Sequence, residues 1–131
     1  MLANIIESAT GFRCQPIDEI GNCVVLAPRP FKDEPEVFLY VIKIKDKLLL
    51  TDDAEVYLHH AYCKEAVDAI AGIVRASGLE FKDASVQLRC ELKDLKPALD
   101  KFLATMAELA AHERDFNRMS AQAWDADVMR R

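Results

Sequence analysis

Glycine is scarce in this chain, with four among 131 residues, at positions 11, 21, 72 and 78. Helix ends, one turn and helix packing account for all of them. No P-loop, GxGxxG, HExxH or GxSxG occurs, so nucleotide binding, zinc-peptidase chemistry and serine hydrolysis have no motif to rest on. Basic residues are not in excess either. The net charge is −5, with a balance of −4 over residues 1–60 and −1 over 61–131. Neither half offers the footprint that holds phosphates, and direct nucleic-acid binding is not expected. The acidic first half reads as a solvated face rather than a mimic of a phosphate backbone. No apolar run approaches the length of a membrane span. The opening MLANIIESATGF contains Glu7 and no basic leader, so it is expected to be a helix of the fold and not a signal peptide. Cysteines number four, at 14, 23, 63 and 90, and none forms a CxxC pair. Cys14, Cys23 and Cys90 lie in apolar or alternating stretches, where cysteine packs as a small hydrophobe; a reducing, cytoplasmic compartment follows.

What is present suits one domain with a single core, since 51% of the residues are apolar. Leu2, Ile5, Ile6 and Ala9 recur at helical spacing and Gly11 stops them. Phe12 to Ile17 and Cys23 to Ala27 read as strands joined by a turn over Asp18 to Asn22. Arg29 to Pro35 is a proline-bounded charged loop. Val37 to Ile44 is the longest strand and is apolar on both faces, which predicts cover on each side, or on one side by a partner chain. A short turn at Lys45-Asp46-Lys47 leads into Leu48 to Thr51, and Asp52 or Asp53 is placed to cap a helix over Ala54 to Tyr62. Lys64 to Ser77 is a second helix, with Ala66, Val67, Ile70, Ile73 and Val74 as its stripe. Leu79 to Lys82 and Val86 to Cys90 form a small hairpin. The expected fold is α+β: an antiparallel sheet of about four to six strands with helices on one face and a long C-terminal helix. The domain spans 1–118 and a tail spans 119–131.

Leu95, Leu99, Phe102, Met106 and Leu109 alternate in steps of four and three, and Phe116 rejoins their line a heptad after Leu109. A helix of about 25 residues would run about 37 Å. This stripe packs either on the domain's own sheet or, by its knobs-into-holes spacing, as the seam of a homodimer.

Val24-Val25-Leu26-Ala27-Pro28, Phe38-Leu39-Tyr40-Val41 and Leu50-Thr51-Asp52-Asp53, in this order of elements, resemble an uncharacterised family of bacterial and phage proteins catalogued as domain of unknown function 1828. Members of that family usually place glycine after the paired Asp; here Ala54 stands there, which weakens any claim that the turn needs a left-handed residue. The resemblance covers most of residues 1–118. It implies no established activity, but it implies a setting in prophages and mobile elements, in the cytoplasm of a bacterial host, and a role in conflict between phage and host.

Each candidate site has a structural counterpart. Asp52 and Asp53 are clustered carboxylates of the kind hard cations take, and equally a helix cap at a favourable dipole. His59, His60 and Cys63 share a helix face in HHxxC, a spacing zinc accepts, but no second pair completes a site, and no third group orients a Cys63–His59 nucleophile. No metal and no cofactor are therefore expected. Asp33, Glu34, Glu36 and Trp124 are the candidates for partner contact, Trp124 as an anchor of the kind that dominates interfaces. The first expectation is a non-enzymatic mobile-element protein that binds and inhibits a host defence complex, anti-CRISPR-like, as a homodimer and without membrane association. The alternatives are a metal-dependent hydrolase using the Asp52/Asp53 turn, and one half of a toxin–antitoxin or immunity pair.

Overall fold

The computed structural model describes residues 2–27, 37–60 and 63–130. In chain order the elements are α1 (Leu2–Thr10), β1 (Arg13–Pro16), β2 (Cys23–Ala27), β3 (Val37–Ile44), β4 (Lys47–Thr51), α2 (Glu55–His60), α3 (Lys64–Ala76), β5 (Glu80–Lys82), β6 (Ser85–Cys90), α4 (Leu95–Ala111) and α5 (Glu113–Arg130), with a 3-10 turn at Leu92–Asp94. The six strands form one antiparallel sheet in the order β1-β2-β3-β4-β6-β5. The α+β architecture read from the sequence is the one observed. β6 and not β5 pairs with β4, although two helices and β5 lie between them in the chain.

Strand parity divides the sheet into two unlike faces. The register pairs Cys14 with Val25 and Val25 with Leu39, and likewise Cys23 with Val41 and Val41 with Leu50. These side chains, with Leu48 and Val86, point the same way and are buried. They form one core with Leu2 and Ile6 of α1, Ala66, Ile70 and Val74 of α3, and the α4 stripe. Each large side chain fully buried there contributes about 1.5–3 kcal/mol. The other face carries Val24, Leu26, Tyr40, Ile42 and Leu49, all partly exposed, and Ile44, 42% exposed. None of these six belongs to the core or packs against it.

The long C-terminal helix is two helices. α4 has 17 residues and α5 has 18, separated at His112, whose φ of −102° and ψ of 8° leave the helical basin. The break turns α5 against α3 and α2 and seats Phe116, 1% exposed, in the core. The segment 119–131, expected as a tail, continues as helix to Arg130, and Met119 packs against the core. Leu95, Leu99, Phe102, Met106, Leu109 and Phe116 are all buried within the chain, none more than 3% exposed. The dimer-seam reading of this stripe thus has no exposed side chain to rest on; its heptad spacing serves the protein's own core.

Candidate functional site: the open sheet face and its hairpin end

The Asp52 turn is built as structure. As β4 ends, the Asp52 N–H donates to the Val86 carbonyl at 3.3 Å, and Asp52 Oδ1 accepts the Val86 N–H at 2.9 Å. The side chain thereby supplies the ladder's last acceptor while the main chain departs into α2. Oδ1 also accepts the Ala54 N–H at 3.1 Å, and Oδ2 accepts the Val56 N–H at 3.0 Å, which caps the helix. Asp52 is 0% exposed. Burial raises its pKa above the ordinary carboxylate value, and the bonds from Val56, Val86 and Ala54 oppose that rise. A carboxylate so enclosed has no face toward solvent for a cation. Asp53 is exposed beside it. Asp53 and Ala54 both have positive φ, 52° and 66°. The turn does use left-handed residues, although neither is glycine, which corrects the expectation drawn from Ala54.

His59 and His60 end α2, and their side chains fall outside the described set, as do Asp33, Glu34 and Glu36 altogether. Cys63 is partly buried against the core. Among the described residues no three His, Cys, Asp or Glu side chains gather as a metal site. Trp124 is 62% exposed on α5. Residues 121–125 are all exposed, more than one helical turn, so this stretch of α5 stands clear of the body on every side.

The feature that stands out lies at the end of the sheet where β3 turns into β4. The register Ile44↔Lys47 leaves Lys45-Asp46 as a two-residue turn. Asn22 fixes this end from the side: its Oδ1 accepts the Lys43 N–H at 2.6 Å and its Nδ2 donates to Asp18 Oδ2 at 2.8 Å. Asp18 Oδ1 in turn accepts the N–H groups of Ile20, Gly21 and Asn22. Below the turn a cleft of about 180 Å³ has Leu2, Ile5, Leu48 and Leu92 as its apolar wall and Lys43, Lys45 and Lys47 as its rim. On the turn's other side a second cleft of about 250 Å³ runs onto the open face along Ile44, Leu49 and Arg89. Reading the sequence as a charged turn missed this site. The signal was present in Lys43-Ile44-Lys45-Asp46-Lys47, where basic residues alternate across a strand end.

Among the described residues no helix is long and apolar enough to cross a membrane. Compared with models of protein families, with curated proteins and with solved structures, the chain matches none.

Proposed function

We propose that this is a non-enzymatic protein that acts by binding another macromolecule through the open face of its sheet. The observation that carries the reading is the apolar row Val24, Leu26, Tyr40, Ile42, Ile44 and Leu49, which no described helix covers and which takes no part in the core. Contiguous apolar surface at the centre of a sheet costs solubility and is retained where a partner covers it. The carboxylate most suited to a hydrolytic metal, Asp52, is consumed by the fold, so the metal-dependent hydrolase is the weaker reading. The narrower version is a phage or mobile-element protein that binds and inhibits a host defence complex in the bacterial cytoplasm, and it is drawn from the resemblance to the domain of unknown function 1828 family. A homodimer that pairs open faces and an immunity or antitoxin role belong to the same proposal.

The test compares capture from a bacterial host lysate by the wild-type chain and by Ile42→Lys, after the variant is shown to keep its unfolding midpoint. One polypeptide held at stoichiometry by the wild type and released by the variant supports the reading. Equal retention by both, or hydrolytic activity that needs a divalent metal and vanishes in Asp53→Ala, would replace it. Plating of phage on a host with and without its CRISPR system, with the chain expressed, tests the narrower version.

A further inference from the structure

We propose that the hairpin end of the sheet is the docking site for an acidic polypeptide segment that seats one large apolar side chain in the cleft beneath Lys45. The inference rests on the interaction reading above and names the chemistry of the partner.

Three observations converge there. The first is charge. Lys43, Lys45, Lys47 and Arg89 line the two clefts, whose linings include one acidic residue, Asp46, on a chain of net charge −5. None of these four cations is ion-paired to a described residue, whereas Lys64, Lys93, Lys96 and Arg118 each meet a carboxylate within 3.5 Å. The second is apolar exposure at the same place. Ile5, Ile44 and Leu92 are 38%, 42% and 51% exposed around the turn. Scattered exposed apolar residues are ordinary, but Ile5 and Leu92 sit in one cleft beside Lys43, Lys45 and Lys47, with Ile44 exposed across the turn, and this reproduces the apolar centre and polar rim of an interface. The third is size. The cleft, about 180 Å³ and walled by Leu2, Ile5, Leu48 and Leu92, has room for one large apolar side chain.

The rival anions fit less well. A nucleic-acid strand would bring a dense run of phosphates, and beyond a Debye length of about 8 Å these would meet an acidic protein. An anionic membrane surface meets the same repulsion. An acidic segment with one buried anchor uses both halves of the site, and its carboxylates also speed encounter with the basic end.

The experiment is an amide NMR titration of the full chain. The probes are a synthetic acidic peptide of alternating Glu and Asp around one Phe, the same peptide with Ser for Phe, oligo-dT, and vesicles of phosphatidylserine and phosphatidylcholine. With the Phe peptide the shifts should centre on residues 43–48 and Leu92, and added salt should weaken them. Binding should fall about tenfold in the double variant Lys45→Glu/Lys47→Glu and about tenfold again with the Ser peptide. Lys45 and Lys47 are exposed, so the variant folds, and Leu92→Asp offers an independent check from the cleft wall. The proposal is overturned by no shifts at millimolar peptide, by unchanged binding in the double variant, or by tighter binding of oligo-dT or vesicles. Lysate capture lost in Ile42→Lys but intact in Lys45→Glu/Lys47→Glu would leave the interaction reading standing and this inference alone refuted.

Discussion

The Asp52 carboxylate accepts the Val86 N–H at 2.9 Å across 34 residues of sequence, and so joins the β4–α2 turn to the hairpin that closes the sheet. Three N–H groups depend on it, those of Val56 and Val86 in buried bonds and that of Ala54 in a part-buried one. Asp52→Ala strands all three, and at about 1–3 kcal/mol for each unsatisfied donor, less what relaxation recovers, it should destabilise by about 3–5 kcal/mol. Asp52→Asn keeps the Oδ1 acceptor for Ala54 and Val86 but sets an NH₂ against the Val56 N–H, so it should cost about 1–2 kcal/mol. Urea unfolding followed by circular dichroism ranks the two.

The same burial sets a pH dependence. The native Asp52 carboxyl holds its proton to higher pH than the unfolded chain, whose value is 3.8. Between those two values the native state binds more protons, so stability from this group falls as pH rises and is greatest below 3.8. The stability of the wild type relative to Asp52→Asn should therefore increase on acidification through that window. A difference that stays level from pH 7 to pH 4, about the unfolded carboxyl range, would show an unperturbed carboxyl.

Two alanines stand where glycine is free of strain. Ala54 has φ 66° behind Asp52, and Ala84 has φ 62° in the two-residue turn Asp83-Ala84 between Lys82 and Ser85. Positive φ at both central residues is the pattern of a type I′ hairpin, for which Asp-Gly is the favoured pair. Ala54→Gly and Ala84→Gly should each stabilise by about 0.5–1 kcal/mol, since left-handed Ala costs about 1–2 and glycine costs some unfolded-chain entropy. Thermal melts of the single and double variants measure both gains, and any departure from additivity reports coupling through Asp52 Oδ1, which accepts the N–H groups of Ala54 and Val86.

The elements were legible in the sequence where one period ran without interruption. Cys23 to Ala27, Val37 to Ile44 and Lys64 to Ser77 all fall within a residue or so of their observed bounds. The helix break at His112 was not legible. Ala110, Ala111 and His112 carry no proline or glycine, and Phe116 keeps the heptad line, so local propensity favours one continuous helix. What breaks it is tertiary: α5 gains the surfaces of α3 and α2 by turning there. The basic hairpin end escaped for a related reason. Leu2, Ile5 and Leu92 come from α1 and the 3-10 turn, and only the folded sheet sets them beside Lys43, Lys45 and Lys47.

The stripe on α4 and the tryptophan on α5 should separate core from surface. Phe102 is 0% exposed and Trp124 is 62% exposed. Phe102→Ala should cost about 3–5 kcal/mol through lost burial and the cavity left behind. Trp124→Ala should stay within about 0.5 kcal/mol of the wild type. A large loss of stability in Trp124→Ala that appears in urea unfolding at high protein concentration and vanishes on dilution would place that side chain in a contact the single chain does not make.

The thiols offer the most direct reading of native packing. Cys14 and Cys23 lie on β1 and β2, 7% and 0% exposed. Burial, and then the hydrogen bond it shares with Cys14, push the Cys23 thiol up to about 12. Burial raises Cys14 as well, against the Cys23 hydrogen bond, and burial then the Asp94 charge raise Cys90. The thiolate is the reactive form, so at mildly alkaline pH a maleimide or disulfide reagent should find Cys90 slowly, and Cys14 and Cys23 only through unfolding. Peptide mass spectrometry of a timed labelling reaction gives the order, and subdenaturing urea should accelerate the last pair together. The same shift carries a stability cost at high pH. The unfolded chain ionises Cys23 near 9.0 and the native chain near 12, so the native state binds more protons between them and stability falls as pH rises through that range. Cys23→Ala should flatten the alkaline fall while it loses some stability at neutral pH to the smaller side chain. A fall of unchanged slope would assign the alkaline limit to the lysines or to Cys14 instead.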